Sequence, residues 1–338
     1  MATHLVPDFS RLRVVVAGDL VADHYLYGEP TRLSREAPVM VLAHRREELG
    51  AGGAANAARN LRSLGAEVSV LGVVGRDRQG RELLERLERE GIDVESVEAQ
   101  SDWATPTKTR ILGAEAGRTP QQVLRIDREP AGPPPAEVRA RLAARLAASE
   151  IDALLLSDYG YGFLAEELGA AARTLAAAGT VVVLDPRRNF DAFRGLGAMT
   201  PNLGELALAA RATPDELEAP GGLERAARAV LARCAPEFLL VTLGNRGMCL
   251  FPGSGEAPLA VPAAGAEAVD VSGAGDTAAA AFTLALAAGL DGASALRLAN
   301  AAAGVVVMEQ GAAACRLDRL RSALPLAPLP RPAGTVRA

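Results

Sequence analysis

Short, uninterrupted runs of aliphatic residues alternate along this chain with longer segments in which apolar residues recur at helical spacing. Uninterrupted apolar runs predict strands that are buried on both faces. Such strands are predicted at residues 14–17, 68–74, 153–156, 181–184 and 238–243. Helices are predicted at residues 54–64, 79–90, 136–148, 164–178, 203–210, 223–234 and 278–288. The alternation predicts an α/β fold in which helices cover both faces of a mostly parallel sheet.

Two stretches, 24–50 and roughly 100–128, depart from this rhythm because polar and apolar residues alternate in them. Alternation is typical of strands with one exposed face. It predicts a small second sheet that covers one edge of the main domain as a lid and excludes water from a reaction beneath it. We therefore predict one domain over residues 11–322. The Pro-rich segment 323–338 is predicted to be loosely ordered.

Composition and charge exclude several classes of protein. The chain has 338 residues, a net charge of −5 and no long basic stripe, so a nucleic-acid partner is not expected. Neither a signal-peptide pattern nor an uncharged apolar span outside Ala-rich helix is visible, so no membrane partner is expected. The cysteines Cys234, Cys249 and Cys315 form no disulfide or zinc pattern, which indicates reduced thiols in a cytoplasmic protein.

The segment with the clearest chemical content is 270–277, D-V-S-G-A-G-D-T, which leads directly into an Ala-rich helix. Small residues allow a ligand to approach closely, and free amides at a helix start favour a bound anion. A carboxylate in that turn, Asp276, suits a base that takes the proton from a hydroxyl group during phosphoryl transfer. The turn alone is equally consistent with a glycine-rich turn that Asp276 caps. No G-x-x-x-x-G-K-[ST] motif is present, which excludes a kinase of the P-loop type.

Small and polar residues also follow the predicted strands, or begin the predicted helices, at six further places. Each of these alone is more often a helix cap or a turn. Together they are expected to converge, because the carboxyl ends of parallel strands meet at one edge of a sheet, where α/β proteins bind ligands. The six places are Gly18-Asp19 with Asp23, then residues 52–56, 157–159, 185–187, 201–205 and 242–244.

This set of motifs resembles the ribokinase (PfkB-type) family of sugar kinases. The late signature D-x-x-G-A-G-D matches residues 270–276, the early glycine signature matches residues 52–56, and the resemblance runs from about residue 14 to about residue 320. It implies a ribokinase-like three-layer α/β/α fold with a small β-sheet lid. Within the family the chain is similar to the D-glycero-β-D-manno-heptose 7-phosphate kinases, in the form without a fused nucleotidyltransferase domain. This narrower similarity is carried by residues 18–23, 34–39, 52–56, 107–110, 121–127, 157–159, 200–205 and 300–304.

The resemblance implies roles for the residues around the acceptor. Asp276 is implied to be the base, and the amides of Gly273, Ala274 and Gly275 to form the anion hole. The residues implied to bind the sugar are Asp23, Gly52, Gly53, Asn56 and Asp158. The cations that suit a phosphate group already on the substrate are Lys108, Arg110 and Arg125. The alternative for each of these three is an exposed charge on a strand.

On the donor side, the resemblance implies Mg²⁺ bound with ATP. Asn202 and Glu205 match an N-x-x-E element that organises Mg²⁺, through water, and the ATP phosphates. The residues implied to line the ATP site are Thr242, Gly244, Gly247 and Asn300. Asp270 matches a position tied to a monovalent-cation site, for which K⁺ is the candidate. Lid sheets in relatives pair across subunits, which implies a homodimer.

The expected reaction is the phosphorylation of D-glycero-β-D-manno-heptose 7-phosphate at its anomeric hydroxyl, which gives the 1,7-bisphosphate in ADP-heptose and lipopolysaccharide core biosynthesis. One departure keeps an alternative open. Tyr161 stands where the heptose kinases typically carry a Lys, which favours a family kinase for another sugar, sugar phosphate or nucleoside. A third alternative is a catalytically silent protein that binds a sugar phosphate.

Overall fold

The computed structural model describes residues 6–115, 117–264, 270–309, 311 and 313–333. Its strands are β1 (Arg13–Gly18), β2 (Leu20–Leu33), β3 (Met40–Gly53), β4 (Glu67–Gly75), β5 (Asp93–Gln100), β6 (Thr107–Gly113), β7 (Gln121–Arg128), β8 (Ala153–Ser157), β9 (Val181–Asp185), β10 (Ala198–Met199), β11 (Phe238–Thr242), β12 (Met248–Pro252), β13 (Leu259–Val261) and β14 (Arg331–Pro332). Its α-helices are α1 (Ala54–Ser63), α2 (Arg78–Arg89), α3 (Ala136–Ala147), α4 (Glu166–Ala177), α5 (Leu203–Ala210), α6 (Pro214–Glu218), α7 (Gly222–Cys234), α8 (Ala274–Ala287), α9 (Gly292–Val306) and α10 (Leu317–Ala323).

Ten strands form a central sheet in the order β14-β13-β12-β11-β10-β9-β8-β1-β4-β5. All neighbours from β5 to β11 are parallel, and β12, β13 and β14 continue the sheet with antiparallel pairing. The five strands predicted from apolar runs all lie in the parallel part. Every residue of β8 is buried, as expected for a strand that is covered on both faces.

Helices cover both faces of this sheet, and the sheet divides the core into two halves. Val16 of β1 packs into the half formed with α1, α8 and α9, whereas its neighbour Val15 packs into the half formed with α3, α4 and α7. Successive residues of a strand point to opposite faces, so one strand supplies both halves. The predicted three-layer α/β/α architecture is confirmed. Among the described helices, none has both the length and the apolar character needed to cross a bilayer.

A separate four-stranded sheet in the order β3-β2-β6-β7 stands at one edge of the domain and corresponds to the predicted lid. It is continuous with the core at its base, because β2 begins two residues after β1 ends and β3 runs directly into α1. Asp23 of β2 lies opposite Gly50 of β3 and beside Lys108 of β6. The lid therefore carries its polar residues to the carboxyl edge of the parallel strands.

The structure differs from the prediction in the elements at the edges of the main sheet and in the C-terminal segment. The edge strand β5, with the sequence D-V-E-S-V-E-A-Q, is partly exposed along most of its length and has no uninterrupted apolar run. In the segment predicted to be loosely ordered, Leu324 and Ala327 are buried and β14 pairs with β13, whereas Leu326 and Leu329 are exposed. Residues 334–338 lie outside the described part of the chain.

Candidate active site

The glycine-rich turn 270–277 places the first residues of α8 at the carboxyl edge of the sheet. Gly273 is the N-cap and has a φ of 80°, a left-handed conformation that glycine adopts without strain. The first intrahelical bond runs from the Thr277 amide to the Gly273 carbonyl, whereas the Ala274 amide contacts the Val271 carbonyl at 3.3 Å. A Cβ atom added at Gly275 would meet no atom within 4 Å. The helix start therefore has the dipole and the open space that suit an anion, and the anion-hole role of residues 273–275 stays a prediction.

Asp276 lies at the third position of α8 and is only 4% exposed. The side-chain amide of Asn56 donates to its Oδ2 atom at 2.7 Å, and the hydroxyl group of Tyr159 donates to its Oδ1 atom at 2.8 Å. Burial raises the pKa of Asp276 to about 6, and the two donors oppose that rise. A carboxylate whose pKa lies near neutrality is suited to accept a proton and release it again.

Asp23 and the glycines that end β3 form the wall next to this base. Asp23 is buried, and its Oδ1 atom accepts a hydrogen bond from Arg110 Nη1 at 2.6 Å. A Cβ atom at Gly52 would lie 2.8 Å from Asp23 Oδ2, and one at Gly53, whose φ is 57°, would lie 2.6 Å from a backbone oxygen. Glycine at position 52 thus leaves room for the Asp23 carboxylate, and glycine at position 53 leaves room for the backbone of residue 19.

The three cations predicted to hold a substrate phosphate lie on one face of the lid. Lys108 and Arg110 alternate along β6, and Arg125 is the register partner of Arg110 on β7. The Lys108 ammonium lies 4.9 Å from the centre of the Tyr159 ring, and burial lowers its pKa although Asp23 opposes the change. Arg125 is exposed and makes two hydrogen bonds to Asp127 at 2.7 and 2.6 Å.

Asp158, which was predicted to bind the sugar, has a different environment. Its Oδ1 atom accepts a hydrogen bond from the Gly160 amide at 2.9 Å. Its Oδ2 atom accepts hydrogen bonds from the amides of residues 187, 188 and 189 at 3.1–3.4 Å. These four bonds use the carboxylate to join two loops at the ends of β8 and β9. Asp158 is thus an anchor for the loops around the site, and its part in sugar binding stays a prediction.

Tyr159 and Asp19 belong in the sequence only to polar clusters, but in the structure the Tyr159 hydroxyl contacts the base and Asp19 holds the loop that carries Tyr159. Asp19 is buried at the end of β1, and its Oδ2 atom accepts the amides of Tyr159 and Tyr161 at 2.9 and 3.1 Å. Burial raises the pKa of Asp19 to about 6, and these amides oppose the rise. No local motif could have identified the Tyr159 hydroxyl, because its partner Asp276 is 117 residues away in sequence.

Asn202 and Glu205 form a capping box at the start of α5. Asn202 Oδ1 accepts the Glu205 amide at 3.0 Å, and Glu205 Oε2 accepts the Asn202 amide at 2.8 Å. Burial raises the pKa of Glu205. Burial, together with the charges of Asp276 and Glu205, raises the pKa of the nearby Asp185 well above its ordinary value. Glu205 supplies the hard oxygen donor that Mg²⁺ prefers, and water would complete the shell, because the described residues contain no cluster of three or more metal-binding side chains.

The four residues predicted to line the ATP site surround the turn after β11 and the start of the strand pair β12–β13. Thr242 is joined to Asn202 by an isolated parallel bridge, which connects this turn to the capping box. Gly247 has a φ of 95°, and a Cβ atom there would lie 2.1 Å from the Val261 carbonyl oxygen, whereas Gly244 faces open space. Asn300 of α9 donates to the Pro262 carbonyl at 2.9 Å. The part of these four residues in an ATP site stays a prediction.

Asp270 holds the turn before α8, and Tyr161 lies near the acidic residues at the end of β7. The carboxylate of Asp270 accepts the amides of Ser272 and Gly311 at 2.8 and 3.0 Å, which fixes the turn before α8. Its part in a monovalent-cation site stays a prediction. The Tyr161 ring is half-buried, and burial together with Glu129 and Asp127 raises the pKa of its hydroxyl to about 12. Tyr161 is therefore a neutral group facing the acidic residues at the end of β7.

Comparison with known protein families identifies the family of this chain. The sequence model described as "pfkB family carbohydrate kinase" matches residues 11–319. The chain is 40% identical over 326 residues to "Bifunctional protein HldE" of Magnetococcus marinus, which covers 94% of this chain and 64% of that protein. It is 40% identical over 324 residues to the protein of the same name from Rhodopseudomonas palustris, with the same two coverages. The chain thus spans less than two thirds of the length of these curated relatives.

Solved structures show the same fold at low sequence identity. Arabidopsis thaliana ribokinase, in a complex with ribose and ATP, superposes with a TM-score of 0.69 at 22% identity, over 93% of this chain and 99% of that one. Escherichia coli phosphofructokinase-2, in a complex with potassium, superposes with a TM-score of 0.74 at 18% identity over the same two fractions. At such identities the likeness establishes the ribokinase-like fold alone.

Proposed function

This chain belongs to the pfkB family of carbohydrate kinases, and on that basis we propose that it transfers the γ-phosphoryl group of ATP to the anomeric hydroxyl of D-glycero-β-D-manno-heptose 7-phosphate. The product is the 1,7-bisphosphate, an intermediate on the route to ADP-heptose and lipopolysaccharide core. The observation that carries the proposal is the position of Asp276, a buried carboxylate at the start of α8 held by Asn56 at 2.7 Å. The heptose-type segments and the relatives that are 40% identical support the choice of acceptor.

In the proposed reaction, Asp276 orients the C1 hydroxyl of the sugar and takes its proton. The C1 oxygen forms a bond to the γ-phosphorus as the bond from that phosphorus to the β–γ bridging oxygen breaks, and ADP leaves. The amides at the start of α8, from Gly273 to Gly275, stabilise the charge on the transferred group. Asp23 and Asn56 hydrogen-bond the sugar hydroxyls, because a site that reads hydroxyl groups needs matched buried donors and acceptors.

The donor side follows from the capping box and the turn after β11. Asn202 and Glu205 are the residues that would hold Mg²⁺ through water, and the ion would neutralise charge on the ATP phosphates when bound. The walls of the ATP site are Thr242, Gly244, Gly247 and Asn300. Asp270 is proposed to belong to a K⁺ site at the turn that precedes α8.

The substrate phosphate is assigned to the cationic face of the lid. Lys108, Arg110 and Arg125 lie in adjacent positions of β6 and β7 on that face, which is the face that carries Asp23. A second acidic group there, Asp127, already pairs with Arg125. We propose that a phosphate replaces Asp127 as the partner of Arg125 when the sugar binds, because the forked guanidinium matches either anion.

We also propose that the protein is a cytoplasmic homodimer whose subunits pair through the lids. The three cysteines are buried free thiols, as suits a reducing compartment. The other face of β7 exposes Leu124 and Ile126 by about half, at an edge of the sheet. Apolar side chains exposed side by side at a sheet edge favour association.

The dimer is tested by placing a charge on that face. Ile126→Lys is expected to convert a dimer into a monomer in light scattering coupled to size-exclusion chromatography. The matched control is Leu208→Lys on α5, since Leu208 is 57% exposed and lies away from the lid. A wild-type monomer, or an Ile126→Lys dimer, would contradict the proposal.

The activity itself is tested by ADP release from Mg·ATP with a panel of acceptors: the heptose 7-phosphate, ribose, fructose 6-phosphate and adenosine. Turnover with the heptose phosphate alone is the expected result. Turnover with a different acceptor would keep the chemistry and replace the substrate, the alternative that Tyr161 favours. Tight sugar binding without ADP release from any acceptor would identify a silent sugar-phosphate-binding protein instead.

A further inference from the structure

Tyr159 is held in place by contacts of its hydroxyl group, its backbone amide and its ring. Its hydroxyl group donates to Asp276 Oδ1 at 2.8 Å. Its backbone amide donates to the buried Asp19 at 2.9 Å, which fixes the loop after β8. The Lys108 ammonium of the lid lies over the Tyr159 ring, 4.9 Å from the ring centre. A tyrosine constrained in this way cannot turn its hydroxyl away from Asp276 without disturbing both loop and lid.

The charges around Asp276 show why such a donor matters. Asp23 from β2 and Asp185 from the end of β9 disfavour a negative charge on Asp276, and Lys108 from β6 favours it. Among these charged groups, Lys108 alone favours the ionised carboxylate, whereas the two acidic groups and burial disfavour it. The remaining groups that stabilise the ionised form are the two hydrogen-bond donors, Asn56 on Oδ2 and Tyr159 on Oδ1.

We propose that Tyr159 is a positioning residue of the transfer reaction, whose hydroxyl fixes Asp276 Oδ1 and keeps the base ionised at neutral pH. The phenol donates throughout, because burial of its hydroxyl and the neighbouring Asp276 hold its pKa well above the ordinary value. Asn56 fixes the second oxygen, so the carboxylate plane cannot rotate when the sugar hydroxyl arrives. This inference rests on the proposed function and adds to it the group that prepares the base.

The test is the pH dependence of kcat/KM for the sugar phosphate at saturating Mg·ATP, in wild type and in Tyr159→Phe. The variant removes one oxygen and keeps the ring below Lys108. With one donor lost, Asp276 should bind its proton more tightly, and the midpoint of the acid limb should rise by about one pH unit or more. Activity at pH 9 should return to within a few-fold of wild type, and KM for the sugar phosphate should change little.

Two further variants separate this role from a general loss of structure. Tyr161→Phe removes the same atom two residues along the loop, where no hydrogen bond to Asp276 exists among the described contacts, and should leave the midpoint unchanged. Site-specific 3-fluorotyrosine at position 159 is a stronger donor of nearly the same shape. It should move the midpoint to lower pH, opposite to Tyr159→Phe, a result that a structural role does not produce.

Superimposable midpoints in wild type, Tyr159→Phe and the fluorotyrosine variant would overturn the role of Tyr159 and leave the kinase assignment intact. A loss of activity in Tyr159→Phe that is equal at all pH values would overturn it as well. Absence of wild-type turnover with every acceptor would overturn the proposed function, and with it this role. The two failures are therefore distinguished by the wild-type measurement.

Discussion

Asn56 and Asp276 are 220 residues apart in sequence, yet the side-chain amide of one donates to the carboxylate of the other at 2.7 Å. Asn56 belongs to the first turn of α1, directly after the glycines that end β3, and Asp276 belongs to the first turn of α8. The two helix starts lie together because α1 and α8 pack side by side in the same half of the core. The early and late glycine signatures are thus two halves of one site.

Replacing the base should abolish turnover and spare ATP binding. Asp276→Asn keeps the shape of the side chain and removes its ability to accept the proton, so kcat should fall by about 10²–10⁴-fold while the Kd for ATP stays unchanged. Asp291→Asn is the matched control, because Asp291 caps α9 through the Ser294 amide and Asn caps a helix equally well. Near-normal turnover in Asp276→Asn would remove Asp276 from the mechanism.

The same substitution should stabilise the protein at high pH. The folded state raises the pKa of Asp276 from 3.8 to about 6, so the ionised carboxylate costs folding free energy that grows as the pH rises above about 4 and is complete above about pH 6. The full cost is about 3 kcal/mol, and Asp276→Asn should recover it at pH 8. The gain should fall to about half by pH 5 and nearly vanish by about pH 3, where Asp276 is protonated in both the folded and the unfolded state. Urea unfolding at these pH values measures it, and a gain independent of pH would contradict the burial cost.

A methyl group at Gly52 should weaken sugar binding specifically. The added Cβ atom would lie 2.8 Å from Asp23 Oδ2 and displace that carboxylate. We expect KM for the sugar to rise about ten- to a hundredfold, with KM for ATP unchanged, in steady-state assays. Gly132→Ala is the control, since a Cβ atom there meets nothing within 4 Å. Equal KM values in both variants would show that Asp23 does not contact the sugar.

Glu205→Gln should distinguish the structural role of Glu205 in capping α5 from its proposed role at the Mg²⁺ site. Gln also completes a capping box, so the melting temperature should change little. The lost charge should lower kcat, or the apparent affinity for Mg²⁺, by about 10–100-fold. Glu216→Gln is an internal control, because Glu216 forms the same capping box with Thr213 at the start of α6. Wild-type activity in both variants would show that Glu205 caps α5 and has no part in the reaction.

The parts of the fold that sequence reasoning predicted are those where one local pattern decides the structure. The strand Ala153–Ser157 is buried on both faces, so its apolar run identifies it without further information. The edge strand Asp93–Gln100 has no such run, and its position depends on pairing with β4. The two-residue strand Arg331–Pro332 exists only because β13 lies beside it.

The same distinction explains the predictions for the site. Asp276 and Gly52 belong to short motifs whose chemistry is local, and the structure brings both to one place. The sugar-binding role of Asp158 is implied by the family resemblance, whereas its bonds to the amides of residues 187–189 depend on a loop that follows the next strand and leave no local pattern. Tyr159 was missed as a partner of the base because a hydrogen bond across 117 residues leaves no local pattern.

The most direct test of the central claim is to identify the product by ³¹P nuclear magnetic resonance after incubation of the protein with Mg·ATP and D-glycero-β-D-manno-heptose 7-phosphate. We expect ADP together with a second sugar phosphorus signal that is coupled to the anomeric proton and equal in intensity to the 7-phosphate signal. Asp276→Asn should give neither. A new phosphate at any other position, or ADP with only inorganic phosphate, would contradict the assignment of this chain as an anomeric heptose 7-phosphate kinase.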